Sequence, residues 1–424
     1  MGAISELLKP VPLPKMFAVE QIFDDTHIPA EEIPAMVRAG LSRPEIAAKI
    51  KPGMRIAITA GSRGVTNIAL IIQSIVDFAK ERDAKPFIVP AMGSHGGATA
   101  EGQRAILASY DITEETMGCP ILSSMETVVL GLSDNGKEVH CDKNAFEADG
   151  IIVVGRVKAH TAFRGPYESG VMKMMAIGLG KQRGASVLHQ DGFGLMKDEI
   201  PMFGKVFLKK ANILCGLAIV ENAYDATREL IALTPQEIID KEPEILERSK
   251  SYMAKILLDK CDVLVVDKIG KNVSGDGMDP NVTGVYGTRH ASGGLCPQKI
   301  AILDLTDETH GNANGIGLGN ATTQRAFRKM DFEQTYPNCI TSTLSEIIKI
   351  PMVLYSDKEA IQYAVKSCHY INRENPRIIR IESTMNMKNL YYSESYYEEA
   401  LAHPQIKVLE EPKEFAFDED GNLF

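Results

Sequence analysis

RIAITAGSRGVTNIALIIQSIVDFAKERDAKPFIVP, residues 55–90, decides the fold class. Its first six residues are a short apolar run rich in β-branched side chains, which suits a strand buried on both faces. A glycine turn at 61–64 follows, the apolar spacing over 65–81 predicts a helix, and PFIVP at 86–90 reads as a second buried strand. A strand, a helix and a strand in so short a span make the unit from which parallel sheets are built.

The same alternation continues on both sides of that stretch. A helix is predicted over 99–109, a hairpin over METVVLGLSDNGKEVH with its turn at Asp134, Asn135 and Gly136, and another buried strand at IIVVG, 151–155. The charged run PQEIIDKEPEILERSKSYMAKILLDK, 235–260, predicts a long amphipathic helix, after which DVLVVDKIG restarts the pattern. KIAILDL, PMVLYS and RIIRIES are the later strand candidates, with helices over 321–330 and 358–367. The expected architecture is α/β, with two domains that each hold a mostly parallel, Rossmann-like sheet flanked by helices. The boundary is drawn at 260, giving a catalytic domain over 1–260 and a second domain over 261–424 that closes over the site. The last thirty residues, acidic and aromatic, are a candidate to pack back on the first domain.

A chain of 424 residues is long for one core, and 44% hydrophobic with 24% charged residues is ordinary globular composition. The formal charge of -10 leaves no basic face for a phosphate backbone, so no nucleic-acid partner is expected. No apolar run approaches a membrane span, and the start MGAISELLKPVPLPK lacks a signal sequence, so the expected location is cytoplasmic. Seven dispersed cysteines without a CxxC pair argue against zinc, iron–sulfur or disulfide frameworks.

Four segments carry candidate chemistry. In AITAGSRGVTN, glycines flanking Ser62 and Arg63 would let the amides of Ser62 and Gly64 approach a phosphate, with Arg63 adding a planar fork of donors; a solvated surface turn fits as well. In AMGSHGGATAEG, small residues uncover His95 at a strand's carboxyl end, although a histidine in a glycine turn is more often a surface or capping residue. The densest segment, GRVKAHTAFRGPYESGVMKMMAIGLGKQRGASVLHQDGFG, holds His160, Lys173 and His189. Val171, Met172, Met174 and Met175 would desolvate Lys173 and make its amine nucleophilic; taken singly, a snorkelling lysine is the plainer account. Its glycines Gly178, Gly180 and Gly184 only loosely imitate a dinucleotide turn. In the second half, VVDKIGKNVSGDGMDPN offers Lys268, Lys271, Asn272 and Asn281 as substrate-binding groups, with a long ordered loop as the alternative.

Taken together these residues resemble the nickel-dependent lactate racemase family, most strongly over 55–190. Its Gly-[Ser/Thr]-His turn is matched by Gly93, Ser94 and His95, its second histidine by His160, its serine-glycine pair and cofactor lysine by Ser169, Gly170 and Lys173, and its nickel-binding histidine by His189, sixteen residues on. The resemblance implies a nickel pincer nucleotide tethered as a thioamide to Lys173, with His189 completing the metal's square plane. It also implies a racemase or epimerase that inverts C2 of a 2-hydroxy acid, with His95 and His160 as bases on opposite faces. On that resemblance the hydride at C2 would pass to the cofactor, leaving a planar 2-keto acid, and return to the other face. Ser62, Arg63 and Gly64 would hold cofactor phosphate or substrate, and the pincer-synthesis enzymes are implied as transient partners. The chain departs from the family in lacking an Arg-x-Pro run after Arg63, in a longer interval between His160 and Lys173, and in having SGDGMDPN where a Gln-and-Lys substrate pair is expected. The hydroxy acid therefore stays open, a sugar acid being one candidate. The alternatives are an NAD-dependent hydroxy-acid dehydrogenase and a non-catalytic nickel or nucleotide carrier.

Overall fold

The computed structural model describes residues 2–424, apart from the side chain of residue 341. The chain divides into two compact units, one formed by 24–253 and the other by 1–23 together with 254–424.

In the 24–253 unit the predicted elements form with small shifts. The strands are β1 (Arg55–Ala60), β2 (Lys85–Pro90), β3 (Thr127–Leu132), β4 (Glu138–Asp142), β5 (Gly150–Arg156), β6 (Ile213–Glu221) and β7 (Thr227–Leu233). The main sheet runs in the order β2-β1-β5-β6-β7, with only the β6–β7 pair antiparallel. β3 and β4 make the expected hairpin, and Gly136 supplies the positive φ of its turn.

Alternation along each strand feeds two cores. Ile56 and Ile58 point with Ile88, Ile152 and Val154 into one face, where helices α1 (Ile33–Leu41) and α2 (Ile68–Lys80) pack through Val37, Leu41, Ile71, Ile72 and Ile75. Ala57, Val89, Ile151 and Val153 point to the other, where later helices contribute Ile200, Phe203, Phe207, Ile238 and Ile245. Full burial of each such side chain stabilises the unit by about 1.5–3 kcal/mol. These two cores hold the sheet rigid beneath the loops at its carboxyl edge.

Two boundaries differ from the sequence reading. The helix expected over 65–81 starts only at Ile68, because Asn67 adopts a left-handed φ of 64° that interrupts helical backbone. The helix expected over 235–260 ends at Tyr252; its start is fixed by a capping box in which Thr234 and Glu237 exchange side-chain-to-backbone bonds. The chain then leaves the unit after 253, seven residues before the expected boundary.

The second unit is built on an eight-stranded sheet. Five strands are parallel: Met352–Leu354, Ala321–Thr323, Lys299–Leu305, Val263–Ile269 and Ile378–Ile381. Three antiparallel strands complete it: Asn389–Ser393, Met16–Gln21 and Ile406–Val408. The N-terminal strand thus belongs with the C-terminal half, contrary to a division at 260 in chain order. Residues 321–323, expected as helix, are a strand because Thr322 and Thr323 are β-branched and fully buried against Leu303 and Leu354 partners. The acidic, aromatic tail packs within its own unit. Phe415, Phe417 and Leu423 join the cluster around Leu354 and Ile361, the Leu423 N–H donates to Asp357 at 2.8 Å, and the Arg325 guanidinium lies 4.4 Å from the Phe424 ring. No helix among the described residues is long and apolar enough to cross a membrane.

Candidate active site

β2, β1 and β5 are adjacent and parallel, so the loops that follow them all leave the same edge of the sheet. β2 lies on one side of β1 and β5 on the other. The winding reverses there, and open α/β sheets bind ligands in the crevice that such a reversal leaves. Residues 61–67, 91–99 and 157–170 meet at this point, with Ser62 and Arg63, His95, and His160 among them.

The Ser62 loop is pinned by the Tyr110 hydroxyl, which donates to the Ser62 carbonyl at 3.1 Å. Gly61 sits beside Met174, whose Cε would lie 3.4 Å from a methyl group placed there. Because the helix begins only at Ile68, the amides of 62–64 belong to the loop that precedes it. His95 is exposed in a turn where Gly93, Gly96 and Gly97 all have positive φ, and Thr99 caps the following helix, α3 (Ala100–Ser109), by accepting from Gly102 N–H at 3.0 Å. Its Nδ1 hydrogen-bonds the Ser62 hydroxyl, which joins the first two loops.

His160 is organised by Glu168, a fully buried carboxylate that the sequence reading did not single out. Glu168 accepts from the His160 N–H at 2.8 Å and from Gly165 N–H at 3.3 Å, and it pairs with Arg164 at 3.3 Å and Lys250 at 2.9 Å. The Ala162 N–H donates to His160 Nδ1 at 3.1 Å, so the neutral ring carries its proton on Nε2. Burial, then the charges of Lys173, His189, Arg63 and Arg164, hold the His160 imidazolium well below its ordinary range.

Lys173 closes the helical turn Val171–Lys173, which continues as a π-helix over Met174–Leu179; after a break at Gly180 and Lys181, whose φ is 53°, helix α4 (Lys181–His189) follows. Wide π turns are rare and frequent at functional sites. Val171, Met172 and Met175 are fully buried, Met174 half-buried, and the lysine amine is pushed down to about 7, first by burial and then by Arg63, against the opposing charge of Glu168. The desolvation expected from the sequence is therefore present. Amine labelling by a small acylating reagent should follow: Lys173 is expected to reach half its limiting rate near pH 7, while lysines with no such burial keep accelerating toward pH 10.5. A Lys173 rate still climbing above pH 9 in peptide mass analysis would contradict this.

His189 ends α4, and its Nδ1 lies 2.7 Å from the Ala185 carbonyl. A carbonyl can only accept, so Nδ1 carries the proton and Nε2 keeps its lone pair, the arrangement that orients a metal-binding imidazole. Burial and the Lys173 charge lower its pKa, so the lone pair is available at neutral pH. Phe193, also absent from the sequence reading, stands between the two rings, 5.6 Å from His189 edge-on and 6.3 Å from His160. No group of three or more His, Cys, Asp or Glu able to hold a metal ion occurs among the described residues.

Gly178 lies in the π-helix, Gly184 in α4 and Gly180 in the turn between them, with no strand before them, so they do not form a dinucleotide turn. Close packing explains them instead: a methyl group at Gly178 would meet the Ala91 carbonyl at 2.7 Å. Lys268, Lys271, Asn272 and Asn281 lie in the other unit and are engaged within it. The Lys268 ammonium sits 5.5 Å from the Phe424 ring, Lys271 donates to Gly275 O at 2.7 Å, Asn272 accepts from Thr306 at 2.7 Å, and Asn281 donates to Asp279 at 2.8 Å.

Residues 9–197 match the lactate racemase N-terminal domain family. Among solved structures, the lactate racemase apoprotein from Thermoanaerobacterium thermosaccharolyticum aligns with a TM-score of 0.50 at 15% identity, over 87% of this chain and 98% of that one. A protein from Thermotoga maritima aligns with a TM-score of 0.46 at 13% identity, over 65% of this chain and 70% of that one. The first likeness bears on the fold; the second carries no argument. No curated protein matched.

Proposed function

We propose, from the match of residues 9–197 to the lactate racemase N-terminal domain family, that the chain is a racemase or epimerase of 2-hydroxy acids that works with a nickel pincer nucleotide. One observation carries the reading: a lysine amine brought down to about 7 and a histidine presenting Nε2 stand on two successive helical segments, 171–179 and α4, beside the switch point of a parallel sheet. The residues fit the group. Lys173 is a usable nucleophile for a covalent tether, and His189 is a single imidazole donor, which suits a metal that takes its remaining ligands from the bound group. Arg63 and the amides of Ser62 and Gly64 fit a phosphate or carboxylate.

When bound, the cofactor supplies a reversible hydride acceptor; the chain's own residues bind, orient and move protons. His95, hydrogen-bonded to Ser62, is proposed to exchange the substrate hydroxyl proton on one face and His160 on the other, since inversion runs from either hand. For His160 to accept at Nε2, its proton has to shift to Nδ1 and the Ala162 N–H bond has to give way. Lys268, Lys271, Asn272 and Asn281 remain proposed substrate contacts, and the polar loop that carries them favours hydroxyl-bearing acids such as sugar acids. Cytoplasmic location fits seven unpaired cysteines, six of them buried. Transient docking of the pincer-synthesis enzymes goes with the covalent tether.

The test is chiral chromatography of lactate, malate, 2-hydroxyglutarate and aldonic acids incubated with protein produced alongside the pincer-synthesis enzymes. Interconversion of the two configurations of at least one acid, without added NAD, is expected. Net oxidation dependent on NAD, or no turnover of any acid, would contradict the proposal.

A further inference from the structure

Resting on the reading above, we propose that Gln103, clamped by the buried ammonium of Lys181, is a positioning residue that fixes the His95 turn against the helical segments bearing Lys173 and His189.

Lys181 is fully buried at the start of α4 with a φ of 53°, a conformation lysine does not choose freely. Its ammonium donates to the Pro90 carbonyl at the end of β2 at 2.6 Å and to Gln103 Oε1 at 3.2 Å, and it forms an ion pair with Asp142 at 3.1 Å. With Oε1 so occupied, the amide nitrogen of Gln103 faces the carbonyls of Gly93 at 3.0 Å and His95 at 3.2 Å. The amide cannot turn over, because reversal would set its NH2 against the ammonium and its oxygen against two carbonyls. Gln103 is itself fully buried, so water cannot substitute for it.

The turn it holds has short-range internal bonds, from His95 N–H to Met92 O at 3.1 Å, Ala98 N–H to His95 O at 3.3 Å and Thr99 N–H to Gly96 O at 3.3 Å, but Gly93, Gly96 and Gly97 all have positive φ, so the backbone there is flexible and gains from an outside brace. Two further contacts lock the same parts. The Gly93 N–H donates to Gly178 O at 3.2 Å, and Gly96 packs so closely on the first turn of α3 that a methyl group at Gly102 would lie 2.0 Å from its carbonyl oxygen. The chain of contacts runs from α4 through Lys181 and Gln103 to the backbone of His95. A buried ammonium and carboxylate are costly to desolvate and a well-packed apolar pair would stabilise the fold as well, so geometry is what this network adds.

Gln103→Glu isolates the claim: it keeps the size and the partner for Lys181, yet turns an acceptor toward the Gly93 and His95 carbonyls. In protein carrying the cofactor adduct, the added mass should be unchanged, kcat should fall roughly 10- to 100-fold and KM should stay within about threefold, as for a small misplacement of a reacting group. Independently of activity, hydrogen exchange at the amides of 93–98 should accelerate about tenfold or more, with the rest of the unit unaffected. Gln103→Met should behave in the same way. Wild-type exchange over 93–98, or full kcat in both variants, would overturn the proposal. So would a general rise in exchange and a collapsed melting temperature in both variants, which would make Gln103 a brace of the whole fold. If the wild type proves to carry no adduct and to racemise nothing, a local exchange change still upholds the clamp while the functional reading fails.

Discussion

Lys173→Ala protein, produced alongside the pincer-synthesis enzymes, is expected to carry no added nucleotide-sized mass and to show no racemisation above background, while remaining folded. The fold survives because the native environment disfavours the charged amine. Its pKa falls from 10.5 in the unfolded chain to about 7 in the native one, so between those values the unfolded state binds more protons and stability rises with pH. Removing the amine removes that penalty, so the melting temperature at pH 7 should be equal to or above wild type, the difference shrinking toward pH 10. A lysine that merely snorkels from an amphipathic turn predicts the opposite pattern, in which activity and mass are retained. Intact-mass spectrometry, chiral chromatography and thermal melts at pH 7 and 10 separate the two.

His160→Ala is expected to keep the adduct and lose racemisation by about 10²- to 10⁴-fold, the usual contribution of a positioned proton-transfer group. Glu168 and Arg164 hold the loop through its backbone, at the His160 N–H and carbonyl, so deleting the ring leaves the loop in place. Cofactor loading and proton transfer should therefore come apart in this variant and fail together at Lys173. His160→Gln refines the reading. Because Nδ1 accepts from Ala162, the neutral ring offers a donor at Nε2, and a glutamine amide reproduces a donor but no base. Activity restored to near wild type by glutamine would mean that His160 only orients substrate; loss comparable to alanine supports proton exchange at this ring. A His160→Ala protein that racemises normally would remove the residue from the proposed chemistry.

Much of the 24–253 unit was legible because its strands are local, strongly apolar and separated by glycine turns. Residues 55–60, 85–90 and 150–156 needed only periodicity, and their parallel order then brought His95 and His160 to one edge. The strand Met16–Gln21 was not legible, since its partners Asn389–Ser393 and Ile406–Val408 lie at the far end of the chain and no local pattern announces them. The overlong helix prediction at 235–260 failed for a related reason: its charge pattern continues past Tyr252, and only the division of the units ends it.

At the site, the side chains expected to do chemistry were named from the sequence, whereas those that hold them were not. Gln103, Lys181 and Asp142 are polar residues joined across long stretches of chain, Lys181 meeting Pro90 across 91 positions and Gln103 across 78, and Glu168 gathers local backbone donors that no sequence pattern marks. Nothing local marks such a residue as buried. Phe193 carried a faint signal, an aromatic between Gly192 and Gly194 just after His189, which a reading alert to aromatics beside the histidine proposed as metal ligand would have found.

The central claim is that the amine at position 173 carries the cofactor, and peptide mass mapping of matured wild-type protein tests it most directly. A nucleotide-sized increment confined to the peptide containing Lys173, accompanied by about one nickel per chain that is released when His189 is replaced by alanine, is the predicted result. An unmodified Lys173 peptide in protein made where the cofactor is available, or an increment on any other lysine, would contradict the account.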